Sequence, residues 1–159
     1  MIAYRIVKVK YEQDLSGHGA ELWGGRWNYP GTPIIYASEQ ASLALLEILA
    51  LTALPQLLKA NFSLLTLKIP EQSQVQVSLA ELPKDWYYPW HTTNTQQMGQ
   101  EWTEMNQYLM LKVPSTILPI ENNILINPKH PLMKEVVISH ISEISFDPRV
   151  IGNFHKSDT

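Results

Sequence analysis

Arg26 and Glu47 offer the clearest chemistry in this sequence. Arg26 lies in Gly24-Gly25-Arg26-Trp27-Asn28, where paired glycines let a backbone approach a ligand closely. Glu47 interrupts residues 41–51, in which Ser42 is the only other polar residue. It shares an i, i+4 row with Leu43 and Leu51, so it points where apolar side chains point. An ionised acid in that position needs a partner or a ligand, because burying it alone is costly. Two readings follow. Glu47 forms a structural ion pair with Arg5 or Arg26, or it belongs to a site for an anionic, sugar-bearing ligand. Arg26 divides in the same way. It is a surface arginine stacked on Trp23 or Trp27, or a planar fork of donors for phosphate or carboxylate.

Other candidates are weaker alone. Arg5, inside an expected strand, would be a second anion contact or the partner of Glu47 if it faces inward. Tyr36 and Ser38 alternate before an expected helix and face the same side. Tyr36 could stack on a planar ring while its hydroxyl anchors a polar group, whereas Ser38 could simply cap the helix. Ser115 follows Val113-Pro114 without a nucleophile elbow around it. Asn122, Asn123 and Asn127 fit turn chemistry near Asn127-Pro128. Gly17-His18-Gly19 starts a dinucleotide fingerprint that fails at Leu22, and no Gly-Lys-Ser/Thr phosphate loop exists. The five histidines are scattered without metal-ligand spacing, so no metal is expected.

The elements that must position these residues read as follows. Strands are expected over residues 2–9, 33–37, 62–69, 75–77, 117–120, 124–126 and 135–141. A helix is expected over 38–51 with Ser38 as its N-cap, buried nearly all round. A second helix is expected over 95–111, with Met98, Trp102, Met105 and Leu109 on its buried face. Residues 15–33, holding five of the seven glycines, read as a long structured loop of the functional kind. Residues 82–93 read as irregular, and residues 155–159 as a frayed tail. The pattern, two or three helices among about six short strands, is α+β in a single compact domain rather than a regular parallel α/β sheet.

Bulk composition agrees. The 159 residues are 45% hydrophobic and 17% charged, with a net charge of −3 and no cysteine. That is an ordinary globular composition, sufficient for one core. Dispersed basic residues argue against direct nucleic-acid binding. Absence of cysteine leaves no disulfide framework or thiol nucleophile. The N-terminal residues lack a signal-peptide pattern, and no apolar run suffices to span a bilayer. The expectation is a soluble cytoplasmic protein, complete as it stands, with no membrane contact.

Taken together, several segments resemble the RES domain. They are Tyr4-Arg5-Ile6, Gly17-His18-Gly19-Ala20, Gly24-Gly25-Arg26-Trp27-Asn28, Gly31-Thr32-Pro33 and Tyr36-Ala37-Ser38. Leu43-Ala44-Leu45-Leu46-Glu47, Val113-Pro114-Ser115, Asn127-Pro128-Lys129-His130-Pro131 and Phe146-Asp147-Pro148-Arg149 continue the match in order. The arginine, glutamate and serine of the family's name look like Arg26, Glu47 and Ser115. The resemblance implies a domain over residues 1–154 with a fold similar to ADP-ribosyltransferases, a mixed β core with flanking helices. It further implies the toxin of a type II toxin–antitoxin pair that consumes NAD as a substrate, with no cofactor, by hydrolysis or phosphorolysis. The alternatives are ADP-ribosyl transfer to a protein, or a non-catalytic nucleotide-binding or interaction module. An Xre-like helix-turn-helix antitoxin would block the active site. In that scheme Glu47, Arg26 and Tyr36 are catalytic, and Arg5, Arg26, Tyr36, Ser38, Ser115 and Asn127 contact substrate.

Overall fold

A computed structural model describes residues 1–89 and 93–151. The tail expected at residues 155–159 lies outside the described residues. Seven strands form one sheet: β1 (Ile2–Lys8), β2 (Ile35–Ser38), β3 (Phe62–Lys68), β4 (Gln74–Gln76), β5 (Met110–Pro114), β6 (Asn122–Ile126) and β7 (Val137–Ile144). Their order across the sheet is β4-β5-β6-β2-β1-β3-β7. Among the described residues only β4 and β5 run parallel, so the sheet is mixed, as the resemblance implies. The helices are α1 (His18–Trp23), α2 (Ala41–Leu51), α3 (Leu54–Lys59), α4 (Thr93–Met105) and α5 (Pro148–Ile151). Among the described residues no helix is long and apolar enough to cross a membrane.

One junction in the sheet differs from the rest. β1 pairs with β3 along its full length, from Ile2 opposite Lys68 to Lys8 opposite Phe62. On its other side β1 meets β2 at a single position, Tyr4 opposite Ser38. β2 itself pairs at all four residues with β6. The two halves of the sheet are therefore joined at one corner and part beyond it.

Strand alternation sends side chains to two faces. On one face Ala3, Ile35, Leu65, Leu67, Met110, Ile124 and Ile126 make a core completed by Leu132 and Met133. The opposite face carries the helices. Ile6 and Phe62 pack with Ala44 of α2 and Leu57 of α3. Ile34, Leu111, Val113 and Leu125 pack with Trp27 and with Trp102 of α4.

Several local expectations need correction. The helix expected over 95–111 stops at Met105, and an αL residue, Asn106, turns the chain into β5. Leu109 is fully buried at the entrance to β5, while Met105 is 66% exposed. Residues 117–120 form a turn rather than a strand, and Ile120 is 86% exposed. The segment 15–33 contains α1. Gln40, not Ser38, precedes α2 as its N-cap, and Ser38 ends β2. Only Leu43 and Ala44 of α2 are fully buried. Leu51 is 81% exposed, so α2 covers the sheet with one face and is open on the other.

Helix α4 approaches the Arg26–Trp27 turn so closely that a Cβ on Gly99 would stand 1.8 Å from the carbonyl oxygen of Trp27. That neighbour is backbone and cannot swing away. Gly99→Ala should therefore lower the melting temperature despite a helix-propensity gain of about 1 kcal/mol, because the overpacking costs about 1–3 kcal/mol or more. A variant melting at or above wild type would contradict this contact.

Candidate active site

The segment Gly24–Asn28 is a tight turn built around a buried asparagine. Gly25 N–H donates to the Asn28 carbonyl at 3.0 Å, leaving Arg26 and Trp27 at the tip. Asn28 is fully buried. Its Nδ2 donates to the carbonyls of Ala20 (2.8 Å), Thr32 (2.9 Å) and Tyr29 (3.1 Å). Its Oδ1 accepts from the Tyr36 hydroxyl at 2.7 Å, and that hydroxyl accepts the Trp27 N–H at 3.1 Å. Gly25 is required by this approach, since a Cβ there would lie 2.6 Å from the Tyr36 hydroxyl oxygen. Gly24 is required by conformation, with φ at +71°. From outside, α4 clamps the turn. Thr95 Oγ1 donates to the Arg26 carbonyl, and Gln96 Nε2 to those of Gly25 and Asn28.

A cleft of about 330 Å³ opens where β1 and β2 part, lined by Arg5, Tyr36, Ser38, Glu47, Asn123 and apolar residues including Ile48 and Leu51. Glu47 reaches it from α2. Both hydrogen bonds to its carboxylate go to Oε1, from Ser115 Oγ at 2.9 Å and Asn123 Nδ2 at 2.5 Å. Ser38 Oγ donates to Asn123 Oδ1 at 2.7 Å. Among the described residues no salt bridge joins Glu47 to Arg5 or Arg26. The acid is held by neutral donors on one oxygen, and its Oε2 bonds to no protein atom among the described residues.

Arg5 is half-buried, and its Nη1 is sealed from solvent without a hydrogen-bond partner. Burial lowers its guanidinium from the usual value, opposed by the nearby charge of Asp14. It remains a cation, as arginine does in proteins. A buried, unpartnered N–H group is costly, and here it belongs to a residue of the cleft wall. Arg26 stands beside the cleft. Its Nη1 donates to the carbonyls of Trp86 (2.7 Å) and Tyr88 (3.2 Å), tying the aromatic segment after Leu82 to the turn. Burial lowers its guanidinium too, and Glu47 and then Tyr36 oppose that shift. No stacking of Arg26 on Trp23 or Trp27 occurs among the described residues. Burial pushes the Tyr36 phenol well above its usual value, against the Trp27 N–H and the charge on Arg26. It is a neutral hydrogen-bonding ring at working pH.

The structure thus brings Arg5, Tyr36, Ser38 and Glu47 to one cleft, with Arg26 beside it. Ser115 is fully buried and does not line the cleft. It reaches the site only through Glu47, because its oxygen also accepts the N–H groups of Ile117 and Leu118. Asn127 is elsewhere. Its Nδ2 donates to Asn106 Oδ1 and the Thr103 carbonyl, and its Oδ1 accepts the Lys129 N–H. That amide secures the end of α4, which removes Asn127 from the cleft wall. Sequence reasoning passed over Asn123 as turn chemistry. Its place opposite Ser38 is set by strand register, for which the sequence carries no signal.

A profile described as the RES domain matches residues 2–147. The chain belongs to the RES domain family. It is 43% identical over 129 residues to a protein named Toxin Res from Photorhabdus laumondii, covering 80% of this chain and 82% of that one. A second Toxin Res, from Yersinia enterocolitica, is 36% identical over 94% of this chain and 99% of the relative. A Sphingobium protein named Prs ADP-ribosylating toxin is 35% identical over 87% of each chain. These relatives set the chain among RES toxins. A chain of the M. tuberculosis MbcT–MbcA toxin–antitoxin complex superposes with a TM-score of 0.74 at 20% identity, over 94% of this chain and 86% of that one. The likeness bears out the ADP-ribosyltransferase-like fold class.

The Tyr36 hydroxyl serves two buried groups of the RES-domain turn, and neither has another place to turn. Tyr36→Phe should therefore reduce unfolding free energy by about 1–3 kcal/mol, the usual cost of stranding buried polar groups. Urea unfolding measures it, and a variant as stable as wild type would show that the turn does not rely on this hydroxyl.

Proposed function

We propose that this protein is a toxin that cleaves the nicotinamide–ribose bond of NAD. The observation that carries the reading is Glu47: an acid fixed through one oxygen, in no salt bridge among the described residues, in the wall of a cleft. Arg5, with an unpartnered buried nitrogen, belongs to the same wall. Cleavage expels neutral nicotinamide and leaves positive charge at C1′ of the ribose. That is the oxocarbenium problem of glycoside hydrolysis. Glu47 accepts a hydrogen bond from a ribose hydroxyl and sets its negative charge against the developing positive one. Fixed in advance, it needs no reorganisation as the bond breaks.

Arg5 and Arg26 hold diphosphate oxygens. The Nε and Nη2 of Arg26 bond to no protein atom among the described residues, so that side of the fork remains for an anion. The ring of Tyr36 offers a face for nicotinamide, its hydroxyl being committed to the turn. Ser38 and Asn123 form the polar wall near Glu47. Water as acceptor gives ADP-ribose, nicotinamide and a proton. Phosphate gives ADP-ribose 1″-phosphate. A protein side chain gives an ADP-ribosylated target, the outcome named for the Sphingobium relative. Hydrolysis or phosphorolysis is the favoured reading, in the cytoplasm where NAD is abundant. An open cleft in a harmful enzyme calls for an inhibitory partner. An Xre-like antitoxin covering that cleft fits the role, and the similar fold was solved in a toxin–antitoxin complex.

Purified protein incubated with NAD, with and without phosphate, should release nicotinamide, and mass spectrometry of the second product identifies the acceptor. Glu47→Gln should cut kcat by about 10²- to 10³-fold, the scale of losing one preorganised electrostatic contact, in a folded protein. Arg5→Gln should raise KM for NAD about tenfold or more, as expected for a charged hydrogen bond. Measurable NAD binding with no turnover after long incubation would favour a non-catalytic nucleotide-binding module.

A further inference from the structure

Ser38, Asn123 and Ser115 come from distant parts of the chain, yet strand register sets them side by side. β2 and β6 place Ser38 directly opposite Asn123. β6 and β5 place Asn123 opposite Val113, and Ser115, two residues further, falls on the same face. Glu47 of α2 meets this row. The direction of each hydrogen bond is then fixed by counting donors. The oxygen of Ser115 accepts from Ile117 N–H at 3.0 Å and Leu118 N–H at 3.2 Å, so its single proton goes to Glu47 Oε1. Asn123 gives Nδ2 to the same oxygen and takes the Ser38 proton on Oδ1. Rotating that amide by 180° would set its oxygen against a carboxylate that has no proton to give. The carboxylate therefore sets which way the amide faces, and Ser38, donating to Oδ1, anchors its far end.

One donor alone lets a carboxylate rotate about its Cγ–Cδ bond, whereas two donors on one oxygen stop it. Glu47 Oε2 bonds to no protein atom among the described residues. Leu125, the next residue of β6 on the same face, is fully buried and apolar, so packing alone would be served by an apolar side chain at 123. We propose that Asn123, anchored by Ser38, is a positioning residue that fixes the rotation of the Glu47 carboxylate and presents Oε2 to the substrate. The inference rests on the NAD-cleaving reading above.

Steady-state kinetics of N123A, S38A, E47Q and the N123A/E47Q double variant test it, with thermal melting to establish folding. N123A should lower kcat about 10- to 100-fold, the range for a hydrogen bond to a charged group, with KM for NAD within about twofold. S38A should move kcat in the same direction by less, and it carries the test if N123A does not fold. The double variant should be no slower than E47Q, because Asn123 acts only through the carboxylate. Equal kcat for N123A and wild type, a change confined to KM, or losses that add in the double variant would overturn the proposal while leaving NAD cleavage standing. A wild type that leaves NAD intact would overturn the functional reading itself.

Discussion

The single pairing of Tyr4 with Ser38 is the constraint on which the rest of the site depends. A sheet gains most from continuous ladders, since each backbone donor and acceptor needs a partner. Here the ladders are continuous on both outer sides, β1 with β3 and β2 with β6, and almost absent between β1 and β2. The two strands leave each other after one residue pair, and the space between them becomes the cleft. Every cleft residue is placed by that parting. Arg5 follows Tyr4 on one strand, and Tyr36 and Ser38 stand on the other. Glu47 comes down from the helix that spans the corner.

Keeping such a gap open requires strong tethers around it. The Gly24–Asn28 turn is one. Its carbonyls are bonded by Thr95 and Gln96, its asparagine satisfies three further carbonyls, and Tyr36 fastens it to β2. Arg26 extends the same device by capturing two carbonyls of the aromatic segment. This arginine therefore has a double position, part structural clasp and part free donor. Its importance cannot be read from substrate contact alone.

Glu47 shows how a site can hold an acid without quenching it. An arginine partner would orient the carboxylate equally well, but it would set a cation directly against its charge. Ser115 and Asn123 are neutral donors, so they fix the group and leave its field intact. The unpartnered Nη1 of Arg5 is the complementary cost. Uncompensated polar atoms of this kind concentrate where a fold sacrifices stability for binding.

Much of this was legible in the chain. Apolar runs located β1, β3 and the helix bearing Glu47, and the glycine pair marked a turn of close approach. Where periodicity failed, the cause was local. Leu109-Met110-Leu111 continues the apolar rhythm of α4, so a strand read as helix until Asn106 and burial separated them. Residues 117–120 look like a strand because they are apolar, yet Ile120 lies in solvent. By itself the sequence determined which side chains could do chemistry: an acid among apolar neighbours, and an arginine on a glycine turn. Tertiary structure alone decided their company. It gave Glu47 no salt bridge to an arginine, placed Asn127 away from the cleft, set Ser115 behind Glu47, and brought Asn123 beside it. The physical reason is register. Which strands lie side by side is set by long-range pairing, and no spacing along the chain reveals that residue 38 will face residue 123.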